Sequence, residues 1–137
     1  MSNRAIEFHD SCVESITTDD HAIIVHFSRA YIHESAGEPG WDSGSGWVQE
    51  ARLFVGNATL SGALGELPCE LWHGELYLGG KLFQLLPIPL EYEGEVEVDL
   101  EYMGKTRVVG KSIRLELLGN SQYVEEFSGH RPEGRRT

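Results

Sequence analysis

The stretch Leu90-Glu91-Tyr92-Glu93-Gly94-Glu95-Val96-Glu97-Val98-Asp99-Leu100-Glu101-Tyr102 decides the fold. An acid stands at every second position from Glu91 to Glu101, and apolar or aromatic residues fill most of the gaps. Side chains alternate between the two faces of an extended chain. This period of two therefore sets six carboxylates on one face and Leu90, Tyr92, Val96, Val98, Leu100 and Tyr102 on the other. The segment reads as a strand.

Downstream, Gly104-Lys105 reads as a two-residue turn into a return strand. That register places Val96 opposite Ile113, Leu100 opposite Val109 and Glu95 opposite Arg114. It also sets Lys111 beside Val98 and Val108 beside Glu101, a mismatch that a bulge at Gly110 repairs. Ile113, Leu115 and Leu117 then face inward as far as Gly119-Asn120, and Tyr123 to Phe127 adds a short last strand.

Upstream, short extended runs alternate with turn residues. They are Ile6 to Phe8, Cys12 to Ile16, His21 to Phe27 with an extension through Tyr31 and His33, Trp47 to Val55, Ala58 to Leu64, Cys69 to Trp72, Glu75 to Leu78 and Lys81 to Leu86. Turns are expected at Thr18-Asp19-Asp20, Gly56-Asn57, His73-Gly74 and Gly79-Gly80. Both faces of His21 to Phe27 carry apolar residues, which places that strand centrally. Pro87-Ile88-Pro89 interrupts the ladder, because proline cannot donate to it and is confined to edges and bends. Residues 35 to 46 are a loop by composition, and long loops often carry function. No run of ten residues shows apolar spacing of i, i+3, i+4 and i+7. The chain is thus expected to be all-β, an antiparallel β-sandwich or partly open β-barrel of about nine short strands with little or no helix.

At 137 residues the length suits one domain, expected over 1–127, with 128–137 as a disordered basic tail. The chain has 22 acids and 11 bases, for a formal net charge of −11. Arg131, Arg135 and Arg136 against Glu133 give the tail +2, which leaves −13 on residues 1–127. Such a field repels phosphate backbones and attracts cations, so the partner it implies is a basic protein and not nucleic acid. Its plainer use is to keep the protein soluble. No apolar run approaches the length of a membrane span, the opening residues turn polar before an apolar leader forms, and the expected location is the cytoplasm. Cys12 and Cys69 are 57 positions apart with no Cys-x-x-Cys, and read as reduced thiols, although spacing alone leaves a single disulfide open.

The acidic row Glu91, Glu93, Glu95, Glu97, Asp99 and Glu101 reads as a docking ladder for lysine and arginine, with carboxylates about 7 Å apart. Its plainer reading is a solvated face whose like charges discourage edge-to-edge aggregation, since exposed strand faces are usually polar for solubility alone. Trp41 in the loop and Trp47 beyond it are candidate aromatic anchors for the same partner, or caps on the open end of the core. Tyr31, His33, Trp41 and Trp47 form an alternative constellation, the mouth of a ligand pocket in a carrier or enzyme. The six histidines show no His-x-His pair, so no metal site, cofactor or catalytic residue is assigned. His9-Asp10 is an acid/base pair in composition, yet neighbours on a strand point apart. Gly-x-Ser-x-Gly is absent, and Gly44-Ser45-Gly46 has no lysine after it, which removes the nucleophile-elbow and phosphate-loop signatures. A homodimer, whose sign would be an exposed apolar patch, is a third reading.

The opening Phe8-His9-Asp10-Ser11-Cys12-Val13-Glu14-Ser15-Ile16, followed by an apolar strand, resembles the start of small bacterial all-β proteins. Some of these are similar to immunity proteins of contact-dependent and polymorphic toxin systems. The resemblance covers about the first 30 residues and implies a short, acidic, cytoplasmic, non-catalytic inhibitor. It carries no site residue, because such proteins share no common binding motif.

Overall fold

The computed structural model describes residues 2–129, and most of the expected tail lies outside them. Ten strands and no helix make up the described residues. They are β1 (Asn3–Asp19), β2 (Ala22–Ser35), β3 (Gly44–Gly56), β4 (Thr59–Gly62), β5 (Cys69–Glu70), β6 (His73–Leu78), β7 (Lys81–Phe83), β8 (Leu85–Ile88), β9 (Glu91–Glu101) and β10 (Lys105–Phe127). All pair antiparallel in one sheet, not closed into a barrel, of order β5-β1-β2-β3-β10-β9-β6-β7, with β4 on β10 and β8 on β1.

The all-β antiparallel expectation holds. The short strands do not, since β1, β2, β3, β9 and β10 run for 11 to 23 residues. Two of the expected breaks between runs fall inside one strand. Ile6 to Phe8 and Cys12 to Ile16 are a single strand interrupted between Glu7 and Cys12, and the last short strand is the end of β10. The ladder slips at that point, again between Phe27 and Ala30 of β2, and again between Leu118 and Gln122 of β10, so a crease crosses the long strands. Bulges of this kind bend strands without ending them.

Ser11 staples the crease. Fully buried, it donates its hydroxyl to the Glu7 carbonyl at 2.5 Å and accepts the Tyr31 N–H at 2.9 Å, while its carbonyl accepts the Leu71 N–H. Ser11→Ala leaves the buried Tyr31 N–H without its acceptor, and the expected loss is about 1–3 kcal/mol. Urea unfolding measures it, and an unchanged midpoint at equal slope would show that the staple does not contribute.

One core gathers the inner faces of the curled sheet. It contains Ile6, Phe8 and Val13 of β1, Val25 and Phe27 of β2, Leu53 and Val55 of β3, Leu76 of β6, Leu86 of β8, Val96, Val98 and Leu100 of β9, and Val108 and Ile113 of β10. Its two margins meet where Phe8 lies against Gly74. A Cβ at position 74 would fall 2.5 Å from Phe8 Cγ, so only glycine admits the ring.

Two stretches of chain also cross from one margin to the other by changing partners. Cys69 and Glu70 pair with β1, then Trp72 N–H reaches the Glu101 carbonyl and His73 begins β6 on β9. His73-Gly74 is therefore strand and not the expected turn, because the redirection falls at Leu71-Trp72. Lys81–Phe83 pair with β6, and Leu85–Ile88 pair with β1. Pro87 faces Ala5 there, at the sheet margin that proline tolerates. The Gly79-Gly80 turn lies where expected, between Leu78 and its partner Lys81.

Candidate functional site

β9 keeps its period of two. Val96, Val98 and Leu100 are buried, whereas Glu91, Glu93, Glu95, Glu97, Asp99 and Glu101 face outward. Its neighbours decide what the row presents. On one side β6 sets His73 opposite Glu101, Glu75 opposite Asp99 and Tyr77 opposite Glu97. On the other, β10 sets Lys105 opposite Glu101, Arg107 opposite Asp99, Val109 opposite Glu97 and Arg114 opposite Glu91.

This register differs from the expected one by three positions up to Gly110 and by four beyond it. The connection is Tyr102-Met103-Gly104, a three-residue loop, with Lys105 already paired. Val108 thereby falls opposite Val98, and the mismatch of the two-residue turn disappears. The expected bulge is present just after Gly110, but the extra residue belongs to β9. Gly94 and Glu95 together oppose Lys111, and Gly94 takes a φ of 141°, which only glycine adopts readily.

The row is consequently not a bare ladder. Arg107 Nε lies 3.0 Å from Asp99 Oδ1 and 3.3 Å from Glu97 Oε2, and Lys111 Nζ lies 3.4 Å from Glu95 Oε1. Four β10 bases still face six β9 acids and Glu75 of β6. Upstream the imbalance is larger. Residues 53–104 hold nine acids, Glu66, Glu70, Glu75 and the six of the row, against Lys81 alone.

Electrostatics record the crowding. Partial burial and a hydrogen bond shared with Asp99 raise the proton affinity of Glu97 above the ordinary carboxylate range, despite Arg107. Tyr77 donates to Glu75 Oε1 at 3.0 Å, and that bond holds its hydroxyl protonated to higher pH than usual. Because Glu97 titrates higher in the folded chain than unfolded, its contribution to stability is present at low pH and lost as pH rises through the folded midpoint. Asp99→Asn is expected to bring that midpoint down, read by carboxyl NMR of Glu97. An unmoved midpoint would mean that burial alone sets it.

A cleft of about 430 Å³ opens on this face. Glu75, Asp99, Glu101, His73 and Tyr77 line one side, and Lys105 and Arg107 the other. Among the described residues, no three His, Cys, Asp or Glu side chains converge on a metal-sized space.

The other candidates lie elsewhere. Trp47 donates Nε1–H to Ser45 Oγ at 2.8 Å and packs edge-on against Tyr123, at the opposite end of β10 from Lys105. Trp41 stands in a tight turn whose N–H reaches the Glu38 carbonyl, and the adjacent Gly40 rests against Leu85 of β8. Neither indole belongs to the β6–β9 face.

Tyr31 and His33 do come together, yet they are only 5 % and 7 % exposed. His33 Nε2 lies 2.9 Å from Glu7 Oε1, its ring stacks on Phe127 at 4.8 Å, and Tyr31 donates to Glu125. Phe127 covers this pair, so it forms packing against the end of β10. His9 and Asp10 approach within 3.3 Å, because Asp10 takes a φ of 75° inside the crease, but His9 is exposed and Asp10 partly so. Cys12 pairs across from Glu70 and Cys69 from Val13, which turns the two free thiols to opposite faces.

Reading by composition missed Trp72. Trp72 is 55 % exposed and Met103 65 %, and the Trp72 ring lies 5.2 Å from that of Tyr102, next to Glu101. No alternation marks it, since the change of partner at Leu71-Trp72 depends on contacts remote in sequence. No family model, curated protein or solved structure matches the chain. No described helix is long and apolar enough to cross a membrane.

Proposed function

We propose that this is a non-enzymatic interaction domain that binds a basic protein through the outer face of β6 and β9. The observation that carries the reading is the surplus of carboxylates there. Glu75 and the six acids of β9 exceed the bases that β10 sets against them, and Glu97 holds its proton more tightly through partial burial and its contact with Asp99. A lysine or arginine brought to this face relieves repulsion already present in the free protein, which favours both encounter and specificity. In that setting the protein acts as an inhibitor of the immunity type, covering a positively charged surface on a toxin of its own bacterial cell. The acidity supports such a role, and the opening segment resembles small bacterial all-β proteins, some of which are similar to proteins that perform it.

Capture from cell extract tests this reading. A complex held by the face forms at about 0.1 M salt, where the screening length is about 10 Å, and dissociates towards 1 M, where it is about 3 Å. A partner retained equally at both concentrations would contradict it.

A further inference from the structure

The end of the acidic face carries an apolar patch whose placement identifies what it receives. Trp72, Met103 and Leu67 are exposed, and Tyr102 is partly so. Trp72, Tyr102 and Met103 converge from two segments, because Gly65 N–H donates to the Tyr102 carbonyl, position 65 abuts Met103, and Trp72 N–H donates to the Glu101 carbonyl. Exposed apolar residues scattered singly need no explanation, whereas a Trp, a Tyr and a Met gathered at one rim are the composition of an interface core. Glu66, Glu70 and Glu101 flank the patch along the chain and outnumber Lys105, the base opposite Glu101.

We infer that this rim is the anchor of the interface, receiving a partner segment in which an apolar side chain alternates with lysine or arginine. The inference rests on the proposed basic partner and adds where the binding energy concentrates. Trp72 and Tyr102 offer ring faces to the apolar side chain and to the stem of a neighbouring cation, and Glu70 and Glu101 stand beside them to pair with its charge. A second copy of this chain fits less well, because two rims of the same negative sign repel at the contact.

Two labelled hexapeptides of equal charge test it, one alternating lysine with leucine and one alternating lysine with serine, with dissociation constants from fluorescence anisotropy. The wild-type chain is expected to bind the leucine peptide at least about tenfold more tightly, the discrimination of a modest hot spot. Trp72→Ala and, separately, Met103→Ser are expected to remove that preference while leaving the affinity for the serine peptide unchanged. Met103 is the more exposed of the two and guards against a folding defect at Trp72. Equal binding of both peptides, or a preference that survives both substitutions, overturns the anchor and leaves the acidic face standing. Binding of neither peptide overturns both. Concentration-dependent dimerisation abolished by Met103→Ser would assign the rim to a second copy and overturn the basic partner for it.

Discussion

Reversal of Glu97, Asp99 and Glu101 to lysine is expected to weaken a complex with the basic partner by about a hundredfold, ~3 kcal/mol, and to abolish its salt dependence. The three acids line one face of β9 with Glu75 opposite, so three lysines there turn an attractive surface into a repulsive one. The change also strands Arg107, which bonds Glu97 and Asp99. A neutral variant, Glu97→Gln with Asp99→Asn and Glu101→Gln, separates the two effects. It removes attraction without adding repulsion and is expected to lose affinity by a smaller factor while unfolding at a similar denaturant concentration. Retained, salt-sensitive binding in the reversed protein would place the interface on another surface.

The second large effect is on stability. Phe8→Ala is expected to cost about 3–5 kcal/mol, a large share of the 5–15 kcal/mol typical of a domain. The ring is buried, and it is the contact through which β1, near one margin of the sheet, rests on β6, near the other. Removing it opens a cavity where no backbone ladder joins those two strands, so the margins have little with which to close the gap. Gly74→Val forces the same margins apart from the opposite side and is expected to be comparably damaging. Urea denaturation of both variants measures the effect, and a loss below about 1 kcal/mol for Phe8→Ala would mean that the partner-switching segments hold the sheet curled unaided.

The contrast between these two regions explains what the sequence discloses. Alternation is a local property, so β9 could be read directly, with its inward Val96, Val98 and Leu100 and its outward acids. The hairpin turn at Gly79-Gly80 and the marginal position of Pro87 were legible for the same reason. Register is not local. The three-residue loop at Tyr102 to Gly104 and the extra residue at Gly94 moved every pairing between β9 and β10, and with it the base that each acid meets.

The candidate site was legible to a similar depth. The six acids share a face as expected, but Glu75 and Tyr77 join them only because β6 pairs with β9 across some twenty intervening residues. Trp41 and Trp47 looked like anchors because aromatic residues beside a glycine-rich loop often are, yet Trp47 packs on Tyr123, which lies 76 positions away in the chain. Trp72 lacked any such setting and proved the more exposed. Tyr31 and His33 lie near one another, as a shared pocket requires, and Phe127 from the far end of the chain occupies the space before them.

The most direct measurement is an NMR titration of the isotope-labelled chain with hexalysine, followed amide by amide at low salt. Shifts concentrated in residues 73–77 and 95–101, saturating with peptide and suppressed by added salt, are the expected result. Shifts spread evenly over the sheet, centred elsewhere, or absent at every salt concentration would contradict the acidic face as the seat of binding.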